Sequence, residues 1–350
     1  MGGNALKEYG AKRIESSEFN IFSTKLASAL NNILAKSGIE QTARMIPSYR
    51  EKSSHGDIDV VLPKSLRVAV GDQAMLRLLE EQLAVSNIPV KTNGDVASYG
   101  IPFADGGVFQ VDLIYMAEED LDFALSYFSW NDVGNLIGRI AHKMGLKYAH
   151  NGLYLPIRDE NYLFETILIT RDFAKTINFL GFSFDRWSQG FNNLEEIYEF
   201  TVSCHRFSTN TYLLENLKHT ARVRDKKRPA YTNFLKWLEE HPEKDKNFVW
   251  PEDKSVWLEE IFRAFPDKKV EWESALVKLG RARDIKAKYN GALIESYTGL
   301  NGRELGEFIQ LHHSKFDSKE AFNLWVYENN EETIKTAIID LAKLQGKVHT

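Results

Sequence analysis

The spacing of apolar residues predicts an α+β architecture for the first half of the chain. Apolar positions recur at helical intervals over 19–37 and again over 71–86. Short apolar runs typical of strands lie at 58–62, 88–92 and 109–115. In chain order these elements are helix, strand, helix, strand and strand. The pattern therefore predicts a small sheet with helices packed against it.

The second half of the chain shows a different pattern, in which helical periodicity dominates from Asp159 onward. Pro229, Pro242, Pro251 and Pro266 separate its apolar segments. The predicted helices cover 167–180, 194–202, 211–221, 231–238, 256–265, 272–279, 304–312 and 332–344. We therefore expect an all-α C-terminal half. If it contains two bundles, their boundary is expected within 242–251.

Acidic residues interrupt two of the predicted strands. Asp57 and Asp59 are two positions apart, so on a strand both side chains point to the same face. Asp112 is at the centre of the later strand, and pairing of the two strands, about 4.8 Å apart, would bring the three carboxylates together. Such a cluster is unfavourable unless cations lie within it, and hard oxygen ligands suit Mg²⁺ or Mn²⁺. The pattern predicts a site for two metal ions; the alternative is edge-strand acids that face water.

Small, basic and hydroxyl-bearing residues precede the first of these strands. They are Ser48, Arg50, Lys52, Ser53, Ser54 and Gly56. An arginine offers forked donors to phosphate oxygens, and backbone N–H groups in a turn add positive partial charge. Beside a metal site, a loop of this composition favours phosphate binding, although the composition alone is a weak signal.

The stretch SYREKSSHGDIDVVL at 48–62 resembles the signature of the DNA polymerase β superfamily of nucleotidyltransferases. In that signature, Gly-Ser and a short basic loop precede Asp-x-Asp on a strand, and the likeness is strongest for the family X polymerases. Pro47 stands where the family has glycine, and the loop is one residue shorter. Residues 98–102 and FQVDLIYM at 109–116 are similar to the family's second and third palm strands. The resemblance implies a palm: a small mixed sheet with helices.

A further segment, YFSWNDVGN at 127–135, is similar to the nucleotide-binding segment of these polymerases, with Trp130 in place of a glycine. The resemblance implies two sets of site residues. The implied catalytic metal ligands are Asp57, Asp59 and Asp112, and the implied nucleotide contacts are Ser48, Arg50, Gly56, Tyr127, Phe128, Asn135 and Arg139. From the pattern alone, the aromatic pair could equally be core and Arg139 a solvated surface charge.

The helical half carries two basic stretches with aromatic residues nearby. The first comprises Lys218, Arg222, Arg224, Lys226, Lys227 and Arg228, and the second comprises Arg281, Arg283, Lys286 and Lys288. Cationic side chains contact phosphates and aromatic rings stack on bases, so the first stretch is a candidate nucleic-acid contact. The alternative is solvated helix faces. A net charge of −5 argues against a nucleic-acid coat over the whole surface but permits a local groove.

Length and composition set the broad class. A chain of 350 residues is long enough for two or three domains. We expect an N-terminal arm at 1–18, a catalytic domain at 19–158 and a helical substrate-binding domain at 159–350. A single cysteine, Cys204, excludes an internal disulfide. No apolar run approaches the roughly 20 residues of a membrane span, and no leader pattern opens the chain, so we expect a cytoplasmic protein.

Together with these patterns, the resemblance to the DNA polymerase β superfamily implies a metal-dependent nucleotidyltransferase that adds nucleotides from NTP or dNTP to a nucleic-acid 3′ end. It would be either a small polymerase or a tRNA- or RNA-tailing enzyme. One alternative is nucleotidyl transfer to a protein or small molecule, as in toxin-like relatives. Another is an inactive nucleic-acid-binding module. The sequence leaves the acceptor, the nucleotide, the use of a template and the oligomeric state open.

Overall fold

The structure is a computed structural model that describes residues 4–346. Its contacts divide the chain into two compact units. The first contains the residues up to 156 together with 168–266, and the second contains 157–167 and the residues from 267 onward. The arm, catalytic domain and helical domain expected from the sequence stay predictions.

A five-stranded mixed sheet is the centre of the first unit. Its strands are β2 (Arg44–Met45), β4 (Asp57–Pro63), β5 (Val90–Asn93), β6 (Val96–Pro102) and β7 (Val108–Met116), in the spatial order β2-β4-β7-β6-β5. Strands β4 and β7 are parallel, whereas every other neighbouring pair in the sheet is antiparallel. The α+β class, with a small mixed sheet and helices, is thereby confirmed.

Helix α1 (Ser16–Lys36) covers one face of this sheet. Its buried residues are Leu26, Ala29, Leu30, Ile33 and Leu34, which recur at the three- and four-residue spacing of one helix face. They pack in one core with β4, β6, β7 and the helices α2 (Lys64–Val70) and α3 (Asp72–Leu83). The helices predicted at 19–37 and 71–86 are therefore present, close to their expected bounds.

The other strands form two smaller sheets. β1 (Ile14–Glu15) pairs with β3 (Ser54–His55), and β8 (Lys147–Ala149), β9 (Gly152–Asp159) and β10 (Tyr162–Thr170) form a three-stranded sheet. The helix predicted over 167–180 was wrong for its first four residues, which belong to β10. Ile167 and Ile169 are buried while their neighbours are less so, the period-two pattern of a strand. Helix begins only at Phe173, where the Asp172 side chain accepts the Lys175 N–H.

The remaining elements of the first unit are helical. They are α4 (Leu121–Phe128), α5 (Val133–Lys143), α6 (Phe173–Phe179), α7 (Phe184–Ser188), α8 (Leu194–Ser203), α9 (His219–Asp225), α10 (Pro229–Glu240) and α11 (Leu258–Ala264). The helix predicted over 211–221 was wrong for its first eight residues, which form 3-10 turns and loop, and α-helix begins there only at His219. The second unit contains α12 (Lys268–Lys288), α13 (Gly291–Thr298), α14 (Gly302–His313), α15 (Lys319–Glu328) and α16 (Glu331–Leu344). Within residues 4–346, none of the helices has the length and apolar character needed to cross a membrane.

A buried histidine lies in the core of the second unit. His312 is 5% exposed, and its Nδ1 lies 3.1 Å from the Tyr289 hydroxyl. Burial, and to a lesser extent the neighbouring His313, lowers the pKa of His312 to about 4. The folded unit therefore holds this imidazole in its neutral form at neutral pH.

We predict that His312 makes the second unit sensitive to acid. Between its usual pKa of 6.5 and about 4, the unfolded chain binds a proton at His312 that the folded chain does not, so stability falls as the pH falls through this range. His312→Asn should reduce this loss by roughly 1–2 kcal/mol at about pH 5, because one pKa unit corresponds to about 1.4 kcal/mol. Urea unfolding of the wild type and of His312→Asn, at neutral pH and at about pH 5, measures the loss of stability. His219→Asn, at an exposed position, is the control, and an unchanged pH dependence in His312→Asn would contradict the assignment.

Candidate metal and nucleotide site

Three carboxylates meet where β4 and β7 run side by side. The parallel register places Asp59 directly beside Asp112, and Asp57 is two residues earlier on the same face of β4. One oxygen from each of the three side chains lies within 4.8 Å of the other two. The convergence that the sequence predicted is therefore present.

The protein offsets the charge of these carboxylates only in part, through the nearby Lys52. Burial, followed by repulsion from Asp57 and Asp112, raises the pKa of Asp59. Burial also raises the pKa of Asp112, although the Ser98 hydroxyl and the Gln110 amide oppose the shift. Clustered carboxylate oxygens at this spacing are the ligands that Mg²⁺ and Mn²⁺ prefer. The donor set thus fits divalent cations, which would supply the missing positive charge.

A cavity of about 520 Å³ opens beside the acids. This volume is within the usual range for small-molecule sites. Of the predicted site residues, those lining it are Ser48, Asp57, Asp59, Tyr127, Phe128, Asn135, Arg224, Lys227 and Arg228. The structure therefore brings the loop before β4, the aromatic pair of α4 and part of the first basic stretch to one cavity.

Other predicted residues are absent from the cavity wall. Within residues 4–346, these are Arg50, Gly56, Asp112, Arg139, Lys218, Arg222 and Lys226. Asp112 still reaches the acid cluster, and Gly56 is a buried residue between β3 and β4. The side chains of Lys218, Arg222 and Lys226 are exposed, as expected for residues on a solvated face.

Arg50 is held by residues that follow α7. Its guanidinium donates to Asn192 Oδ1 at 3.0 Å and to the Gln189 carbonyl, and lies 5.9 Å from the Trp130 ring centre. These contacts anchor the loop before β4 to the 189–192 segment. A phosphate contact by Arg50 stays a prediction that requires these bonds to exchange.

Trp130 lies in a turn whose backbone conformation favours glycine. Trp130 and Asn131 have φ values of 65° and 61°. The Trp130 N–H donates to the Pro47 carbonyl at 2.8 Å, and its ring packs against Trp187 and Phe191. Packing around the indole thus holds the turn, and the turn ties α4 to the loop before β4.

Asn135 and Arg139 on α5 share one partner, the fully buried Asp225 at the end of α9. Asp225 accepts from Arg139, from Arg224 Nε at 2.8 Å and from Asn135 Nδ2 at 3.4 Å. The Arg139 side chain is only 14% exposed, which excludes a solvated surface charge. Arg228 similarly donates to Asp132 at 2.7 Å. A buried ion pair to Asp225 and a more exposed one between Arg228 and Asp132 therefore join the basic stretch to α5.

We predict that Asp225→Asn destabilises the first unit by about 3–5 kcal/mol, because removing one member of a buried pair leaves the other charge uncompensated. Urea unfolding measures the loss. Asp105→Asn is the matched control, since Asp105 is 79% exposed and pairs with Lys12, and should change stability by less than about 1 kcal/mol. Equal effects of the two substitutions would contradict the buried-pair interpretation.

Sequence reasoning missed several residues of the cavity, including Lys52, Asn131 and Asp132. Lys52 belongs to the predicted phosphate loop, although the sequence did not predict it as a nucleotide contact. Burial lowers the pKa of Lys52, and the nearby Asp57 opposes the shift. The only sequence signal of Lys52 was its position in the basic loop before the Asp57 and Asp59 strand. The sequence does not identify Asn131 and Asp132, because their place in the cavity wall depends on the turn at Trp130.

Comparisons with known proteins identify no family for this chain. No protein-family description matches the chain, and no curated protein matches it. Among solved structures, part of the chain is similar to Leishmania infantum polymerase beta, described as a ternary P/T complex, with 14% identity and a TM-score of 0.33. The match covers 43% of this chain and 60% of that one. A similarity of this extent does not establish a family.

The repulsion within the acid cluster gives a prediction for Asp59. Because folding raises the pKa of Asp59 to about 8, well above the unfolded value, ionisation of this carboxyl at neutral pH favours the unfolded chain and lowers stability. Without metal, Asp59→Asn should melt roughly 2–4 °C above the wild type at pH 7. Added Mn²⁺ should then stabilise the wild type more than the variant.

Calorimetric melting with and without Mn²⁺ measures both effects. The exposed Asp185 provides the control, and Asp185→Asn should behave like the wild type in both conditions. A lower melting temperature for Asp59→Asn in the absence of metal would show that the cluster is not under repulsion.

Proposed function

We propose that the protein is a metal-dependent nucleotidyltransferase that transfers nucleotides from NTP or dNTP to a nucleic-acid 3′ end. The observation that carries this proposal is the meeting of Asp57, Asp59 and Asp112 at the edge of a nucleotide-sized cavity with cationic walls. A carboxylate cluster alone would suit a structural ion. The adjoining cavity has room for a substrate whose negatively charged groups would bind the same ions.

Asp57, Asp59 and Asp112 would hold two Mg²⁺ or Mn²⁺ ions. Such ions, when bound, neutralise the phosphates of the nucleotide and lower the pKa of an attacking hydroxyl. Asp112 belongs to the strand beside Asp59, so it can share an ion with both acids of β4. This assignment uses only side chains that the fold already brings together.

Cationic side chains around the cavity suit a polyphosphate. Lys52, Arg224, Lys227 and Arg228 line it, together with the hydroxyl-bearing Ser48. Positive charge aimed at the place where pyrophosphate leaves stabilises the developing negative charge. Among the described residues, Lys227 forms no ion pair, so its charge is available to the substrate.

An apolar part of the same wall suits the sugar and base. The Tyr127 and Phe128 rings lie 5.2 Å apart edge to face, and the His150 ring is stacked 6.0 Å from Phe128. Asn135 adds an amide that can hydrogen-bond to a base or ribose. These residues would hold the nucleoside while the loop before β4 holds its phosphates.

A nucleic-acid acceptor is favoured by the first basic stretch. Arg224, Lys227 and Arg228 reach the cavity, and the exposed Lys218, Arg222 and Lys226 continue the positive charge outside it. Such a path suits a phosphate backbone that ends at the site. Both a polymerase X-like enzyme and an RNA-tailing enzyme fit this arrangement.

Transfer assays test the proposal. Labelled NTPs and dNTPs, with Mg²⁺ or Mn²⁺, should give product on DNA, RNA or tRNA. Asp57→Asn and Asp112→Asn should lower the rate by at least about 100-fold, because metal-ion stabilisation of the transition state is worth several kcal/mol. Asp185→Asn, at an exposed position, should keep wild-type activity.

The acceptor that gains mass separates the alternatives. Product on a protein or small molecule would support the toxin-like alternative and overturn the nucleic-acid acceptor. Nucleic-acid binding without any transfer would indicate an inactive module. Activity that survives Asp57→Asn would overturn the assignment of the metal ligands.

A further inference from the structure

The Asp112 carboxylate is fixed by a neutral side chain two residues earlier on β7. Gln110 Nε2 donates to Asp112 Oδ1 at 3.0 Å and to Oδ2 at 2.9 Å. Gln110 is 2% exposed, so water does not replace these bonds. Each carboxylate oxygen has a second lone-pair direction, which leaves both oxygens able to bind a cation.

The Gln110 amide is itself fixed by the N-terminal segment. The Leu6 backbone N–H donates to Gln110 Oε1 at 3.1 Å. This bond determines which end of the amide faces Asp112. An amide turned by 180° would place its oxygen against the carboxylate and its NH₂ group against another donor, and both contacts are repulsive.

The donor at Leu6 is held by the fold rather than by a loose end. The Leu6 side chain is fully buried. Farther along the segment, the Lys12 N–H donates to the Val108 carbonyl at 2.9 Å, and Val108 N–H donates to the Gly10 carbonyl at 3.3 Å. The first residues of the described chain are therefore attached to the start of β7, close to the acid.

The choice of a glutamine has an electrostatic consequence. A lysine or arginine at position 110 would compensate one of the three negative charges in the absence of metal. Gln110 restrains Asp112 through hydrogen bonds without adding a positive charge beside the cluster. An ordered carboxylate also loses less conformational entropy when it binds an ion.

We infer that Gln110, oriented by the Leu6 backbone amide, is a positioning residue for Asp112, and that the N-terminal segment is thereby part of the metal site. The inference rests on the metal site of the proposed function and adds two residues to it. Loss of an outer hydrogen-bond partner typically weakens metal binding 10- to 100-fold.

A titration of the full chain with Mn²⁺ tests this inference without an activity assay. The electron paramagnetic resonance signal of the free ion measures how much Mn²⁺ is bound. Gln110→Met removes the amide at similar volume and should weaken the tightest Mn²⁺ binding about 10- to 100-fold. Gln73→Met, at an exposed position of α3, should bind as the wild type does. Circular dichroism checks that each variant is folded.

A second pair of variants isolates the backbone donor. Leu6→Ala and Leu6→Pro both lose the buried side chain, but only proline lacks the N–H. Leu6→Pro should weaken Mn²⁺ binding more than Leu6→Ala does. Equal affinities in this pair would overturn the role of the backbone amide.

The outcomes separate this inference from the proposed function. If the wild type binds Mn²⁺ and Gln110→Met binds it equally well, the positioning role is overturned while the metal site remains. If the wild type binds no Mn²⁺, both are overturned. Weakened binding in folded Gln110→Met, with normal binding in Gln73→Met, supports the inference.

Discussion

The parallel pairing of β4 with β7 is the constraint on which the candidate site depends. It places Asp59 beside Asp112 although 53 positions separate them in the sequence. The repulsion between the acids must be offset elsewhere, and the same two strands provide the means. Ile58, Val60 and Leu113 are at most 2% exposed, and burial of each such side chain contributes about 1.5–3 kcal/mol. Burial of these apolar side chains keeps β4 and β7 paired, and the pairing holds the like charges of Asp59 and Asp112 together.

The cavity wall is assembled by interactions of a different kind. Asp225 fixes the end of α9 to α5 through Arg139, and Asp132 accepts a hydrogen bond from Arg228. Since these cations are already paired, their contribution to a substrate phosphate would be small unless the pairs exchange. Lys227, on the same wall, has no such partner within the described chain. The wall therefore combines cations that position the helices with a cation that remains available to bind.

Much of the site was predictable because it depends on local patterns. The two-residue spacing of Asp57 and Asp59 and the helical spacing in α1 follow directly from backbone geometry. The partnership of Arg139 with Asp225 did not follow, since it joins residues 86 positions apart. The strand β10 was misread as helix because Ile167 and Leu168 are equally apolar in either pattern. Only register and tertiary contact, which no local pattern contains, could decide these cases.

The turn at Trp130 shows how side-chain packing can hold a backbone conformation that favours glycine. A glycine would adopt the positive φ without cost, whereas tryptophan incurs a strain of about 1–2 kcal/mol. The indole offsets that cost by packing on Trp187 and Phe191, which belong to the region that also anchors Arg50. A glycine would leave that region without its partner. Packing of Trp130 thus stabilises the strained turn and couples the loop before β4 to the aromatic wall of the cavity.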